Sequence, residues 1–219
     1  MQEHGVPAYQ GLRTSRAAGI AGVIFSVLFG ASLVLLRTAL DPDPSVPIDW
    51  DGPAGGRVRL AMTLMPFAGI AFLWFIGVVR DRLGDLEDRF FSTVSLGSGL
   101  LFVAMVFASM SIVGGLLATG HAELSADADR GLAAFGRAVM LQISNVYALR
   151  MAGVFMLSLG TVWLRTGLMP RWLVVTTFLL ALAMLVIASM SLWVTLLFPA
   201  WVLTVSTYVL IRPRSAGGG

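Results

Sequence analysis

From residue 172 to residue 211 the chain runs for forty residues without a charged side chain. As one α-helix this stretch would be about 60 Å long, twice the hydrocarbon core of a bilayer. The economical reading is two membrane spans, 172–188 and 192–211, joined by a hairpin turn at 189–191. Four further apolar runs of about 20 residues precede it, at 17–36, 60–79, 92–118 and 145–164. Composition agrees with lipid as the solvent. The chain is 57% apolar and 12% charged, with a mean hydropathy of +0.85, where a soluble domain carries about 25% charged residues.

The expected fold class is therefore all-α, a polytopic transmembrane helical bundle with six membrane-spanning helices over residues 17–211. A tail of residues 1–16 precedes it and a tail of residues 212–219 follows. The first run comes after Arg13 and Arg16, as a secretory signal would. It exceeds a typical signal core and lacks a small-residue cleavage site, so it is read as a retained helix.

All fifteen cations are Arg, and they gather at the ends of the runs. That placement reads as topological anchoring rather than nucleic-acid binding. Nine of them (Arg13, Arg16, Arg80, Arg82, Arg89, Arg165, Arg171, Arg212 and Arg214) fall on one side of the bundle. Five (Arg37, Arg57, Arg59, Arg130 and Arg137) fall on the other. The excess puts both termini in the cytoplasm. Trp163, Trp172 and Tyr208 are the expected inner interface anchors, Tyr147 and Trp193 the outer ones.

On the outer side, "DPDPSVPIDWDGPAGG" reads as an irregular loop. Between spans three and four, Leu124, Ala128, Leu132, Phe135 and Val139 recur at helical spacing, with Ser125 as a possible N-cap. This predicts an external amphipathic helix that lies on the membrane or leads into span four.

Arg150 is the one charge inside a span. Counted from Asn145 it lies about 7.5 Å below the outer boundary. There it either snorkels to the headgroups, pairs with an external carboxylate, or meets an anion or polar solute in a cavity open to the outside. Pro66 and Pro199 fall about 10 Å inside the same boundary, and each removes a helix hydrogen bond. With Tyr147, these three form the expected ligand-binding set of an outward-facing vestibule.

Small residues four apart in span three, Ser95 with Gly99, Ala104 with Ala108 and Ser111 with Gly115, are expected to pack helices closely. The alternative is a polar path along Ser95, Ser98 and Ser109. Ala17 with Ala21 and Ala18 with Gly22 offer similar pairs for packing within the chain or against another subunit.

With no cysteine, thiolate metal sites and disulfides are excluded. His4 and His121 lie outside the runs, so no imidazole pair is available for a haem. Asp81, Asp85, Glu87 and Asp88 alternate with Arg82 and Arg89 in a short loop and read as solvated ion pairs, not a metal site. Asp49 to Gly52 is only a fragment of a calcium loop. No Asp, Glu or His lies within a span, which removes the usual proton or sodium relay. No hydrolase, zinc-protease or phosphate-loop motif occurs. No catalytic residue, metal or cofactor is expected.

The stretch "DRLGDLEDRFFSTVSLGSGLLFVAM", residues 81–105, resembles segments of actinobacterial integral membrane proteins without assigned activity. That resemblance implies residence in a bacterial inner membrane. In size and topology the chain is also similar to the substrate-binding subunits of energy-coupling-factor vitamin transporters, whose first helix docks a partner through small residues. That similarity implies the same use for Ala17, Ala18, Ala21 and Gly22. The function expected is a non-catalytic accessory subunit or membrane module. The alternative is a transporter or solute-binding subunit for a small polar or anionic compound. Its partners would be the lipid bilayer and a membrane protein or a second copy, with no nucleic acid.

Overall fold

A helix that is apolar on every side, with few charges between its ends, is stable only where its outer face meets protein or lipid. Helices of this kind make up most of the structure, a computed structural model that describes residues 10–40, 50–84, 89–119, 126–187 and 192–211. The expected cap at Ser125, the turn at 189–191 and the acids Asp85, Glu87 and Asp88 lie outside these residues. All secondary structure among the described residues is helical: α1 (Gln10–Ala39), α2 (Pro53–Gly84), α3 (Arg89–Thr119), α4 (Ala126–Leu141), α5 (Leu149–Thr166), α6 (Arg171–Ile187) and α7 (Leu197–Ile211). A π-helical segment, Gln142–Ala148, joins α4 to α5, and a 3-10 turn, Leu192–Leu196, leads into α7.

Among the described residues five stretches are long and apolar enough to cross a membrane, the build of a multi-pass membrane protein. Helix α6 is shorter, at 17 residues. Side chains such as Ile24, Val27, Phe67, Trp74, Leu179 and Val186 point outward and stay exposed, as contact with lipid requires.

Proline and glycine set several helix ends. Pro53 opens α2 at the position where a missing N–H costs nothing. Gly167 closes α5 with φ of 64°, and its N–H reaches the Trp163 carbonyl at 3.0 Å. Three residues later the Pro170 carbonyl accepts from Leu173 and Val174 at 3.0 and 3.2 Å, starting α6 at once. Arg165 at the end of α5 lies 5.0 Å over the Phe91 ring, pinning that end to the start of α3.

Where lipid supplies no hydrophobic drive, helices associate through close packing. The small residues Gly19 and Gly22 let α1 lie directly against Leu210 and Ser206 of α7, which brings the start of α1 beside the end of α7. Ala18 and Ala21 are buried and Ala17 is exposed, so most of the small residues in this part of α1 serve contacts within the chain. Gly69 receives the Phe107 ring, and Gly99 receives Ile76 and Phe155. Ser95 and Gly99 face inward. Ala104, Ala108, Ser111 and Gly115 are exposed along the outer face of α3.

At mid-height one phenylalanine from each of five helices enters a single layer: Phe25, Phe72, Phe102, Phe155 and Phe198, all fully buried or nearly so. The Phe25 and Phe72 centroids are 4.6 Å apart and those of Phe102 and Phe198 4.7 Å, most pairs in the layer meeting edge to face. Trp201 stacks beneath Phe198 at 6.0 Å, and its indole N–H donates to Thr177 Oγ1 at 2.8 Å, tying α7 to α6. Trp163 lies 5.9 Å from Trp201 and is buried, not an interface anchor. Trp172 and Tyr208 pair edge to face at 6.4 Å, on the same end of the bundle as the start of α1 and the end of α7. Thr177→Val strands the buried indole donor and is expected to cost about 1–2 kcal/mol, read as an earlier midpoint in SDS unfolding.

Helix α4, the π segment and α5 form one continuous rod; its apolar part is 40 residues, Asp127–Thr166. The amphipathic helix therefore leads into the next span rather than lying flat. Its apolar stripe also points the other way from a soluble helix. Leu132 and Phe135 are exposed, Phe135 by 69%, while Gly136, Arg137 and Met140 are buried. Leu116 of α3 sits against the bare backbone of Gly136, a contact any side chain there would block.

Candidate functional site

Above the aromatic layer, on its α4 side, lies a small, partly open chamber of about 30 Å³, room for about one water molecule. Phe29, Phe102 and Met65 form part of its apolar wall. Its polar atoms come from three hydroxyls, Ser109 of α3, Ser144 of the π segment and Thr195 of the 3-10 turn.

Irregular backbone places two of the three. At the junction of α4 with the π segment the hydrogen-bonding step changes from four residues to five. The Met140 carbonyl at that junction accepts from Ser144 Oγ at 2.9 Å and, across to α3, from Ser109 Oγ at 3.1 Å. Thr195 accepts from the Arg37 guanidinium at 3.2 Å. A cation from the end of α1 thus reaches back toward the chamber wall. Arg137 is only 7% exposed, on the face of α4 that also carries Met140. Arg37 and Arg137 are turned into the protein and do more than mark a membrane boundary.

The four expected ligand residues occupy separate places. Arg150 is half-buried, donates to the Val146 carbonyl of its own rod at 3.1 Å, and is not among the residues that line the chamber. Tyr147 is 53% exposed. Pro199 is buried in the first turn of α7, where a missing N–H frees no interior carbonyl; the irregularity lies in the 3-10 turn before it. Pro66 is within α2 and lines a lateral groove between α2 and α3 of about 370 Å³. No described pocket brings Arg150 together with either proline.

Of the expected polar path, Ser109 lines the chamber. Ser98 donates to the carbonyls of Val94 and Ser95 within α3, and Ser95 is buried toward the other end of that helix. Among the described residues no group of three His, Cys, Asp or Glu is placed to hold a metal. Comparison with family models, with curated proteins and with solved structures gives no match.

Proposed function

We propose that the chain is a six-span protein of a bacterial inner membrane that acts without chemistry of its own, as an accessory subunit or membrane module docking another transmembrane helix. The observation that supports this reading is the outer face of α3. Ala104, Ala108, Ser111 and Gly115 form one exposed stripe at helical spacing, and a side chain at Gly115 would meet nothing within 4 Å. A lipid-facing helix needs no such stripe, because bulky apolar residues serve lipid equally well. A helix that another helix approaches closely does need it. Both termini lie in the cytoplasm in this reading, by the bias of Arg toward that side.

Purification from native membranes in a mild detergent tests it. A stoichiometric membrane partner, or a homodimer, is expected with the wild type and is lost in Gly115→Leu, which leaves the monomer's own packing untouched. A monomer in every mild detergent would count against it.

A second reading, a solute-binding subunit for a small polar or anionic compound, draws on the chamber with its three hydroxyls and on Arg37 behind Thr195. Thermal stabilisation of the purified protein by particular solutes, weakened in Thr195→Val, is its expected sign.

A further inference from the structure

The groove between α2 and α3 carries an inference separate from either reading of the protein's role, resting only on these helices being embedded in lipid. It is bounded at one end by Gly69, over which the Phe107 ring lies, and at the other by Gly114, against which the Met62 methyl packs. Between these two contacts the helices part, and Met62, Met65, Pro66, Phe107 and Met110 line an opening of about 370 Å³. Met65 and Met110 also line the inner chamber, so the two hollows share part of a wall. Thioether chains of this kind adapt to irregular occupants.

The groove has two polar features: the Ser111 hydroxyl, whose proton is already given to the Phe107 carbonyl at 2.9 Å, and a backbone acceptor. Pro66 has no N–H, so the Met62 carbonyl four residues earlier loses its helical donor, and both residues line the groove. Along α2, Pro66 is about 9 Å from Phe72 in the aromatic layer. That depth is inside the hydrocarbon, where water does not reach and a backbone acceptor needs a partner. A lipid acyl chain fills the space and leaves the carbonyl unmet. A single-chain molecule with a hydroxyl does both.

We propose that this groove binds a single-chain amphiphile of the long-chain alcohol class, its hydroxyl donating to the Met62 carbonyl and its chain lying against Met65, Phe107 and Met110. The two parts of the site are independently removable. Pro66→Ala restores the missing N–H and closes the carbonyl into the helix. Gly114→Leu fills the groove where Met62 already touches α3.

The test uses the whole protein in nanodiscs with two photoactivatable probes, a diazirine-bearing dodecanol and its methyl ether, and maps the labelled peptides by mass spectrometry. Wild-type protein is expected to take label at residues 62–66 and 107–114, at least threefold more from the alcohol than from the ether. In Pro66→Ala the alcohol should fall to the level of the ether, with helix content and gel-filtration profile unchanged. In Gly114→Leu both probes should lose the site. Equal labelling by the two probes in wild type overturns the hydroxyl assignment. Label spread evenly over the outer faces of α1, α2, α3 and α6 overturns the site itself. Neither result bears on whether the protein copurifies with a partner, so the accessory-subunit reading stands or falls separately.

Discussion

Phe72→Ala is expected to lower the stability of the bundle by about 2–3 kcal/mol, below the ~3–5 kcal/mol that the same change costs in a soluble core. The reference explains the size. Unfolded membrane helices remain in lipid, so most of the transfer from water is absent and the loss is mainly packing. Phe72 meets the rings of all four other members of its layer, Phe25, Phe102, Phe155 and Phe198, and that of Phe75, at 4.6–6.0 Å. Its removal opens a void that five helices share, and none can close it alone. Unfolding in SDS, followed through Trp201 fluorescence beside Phe198, measures the loss. Phe72→Leu should recover part of it, and an alanine midpoint equal to wild type would mean the layer does not hold the helices together.

Gly22→Leu should have a comparable or larger effect. A methyl at Gly22 already collides with the Ser206 hydroxyl and crowds Phe75. Rotating the Ser206 hydroxyl away does not clear the space, because Ser206 Cβ itself lies 3.1 Å from that methyl, and Phe75 is buried in the core. A leucine must therefore push α1 off α7, at a cost above the ~1–3 kcal/mol of ordinary overpacking. The matched control is Gly30→Leu, two turns along the same helix, where a side chain meets nothing within 4 Å. Loss of the folded monomer peak in Gly22→Leu with a normal peak in Gly30→Leu is the expected result. Equal behaviour of the two would place the α1–α7 contact elsewhere.

The helical, lipid-facing build was legible because a bilayer imposes one crude demand, apolar residues on every side over a fixed length, and residues 17–211 meet it in plain view. The site was much less so. Hydroxyls in apolar spans look alike in sequence, and most bond their own helix, as Ser26 does to Gly22 and Ser158 to Val154. Ser109, Ser144 and Thr195 differ only through the register between helices and through two irregular turns, which no local pattern announces. Arg37 looked like a boundary cation because its backbone is at a boundary; its side chain folds back to Thr195. The amphipathic pattern of α4 was read correctly as a helix and its apolar stripe was turned outward by the solvent, since lipid accepts Leu132 and Phe135 as readily as protein would. Pro66 and Pro199 looked equivalent, yet one interrupts a helix and the other starts one.

The π segment carries a further consequence for this long rod. With α-helical spacing throughout, the buried residues Gly136 and Met140 would point about a third of a turn away from the buried line through Ala152, Phe155 and Leu159. The wider winding of residues 142–148 takes up that difference, so both halves present their inward residues to the same neighbour, α3. The π winding is thus how the rod holds one residue more than an α-helix facing the same way would, and deleting a single residue there is expected to let the segment rewind as ordinary α-helix with both halves still turned to α3.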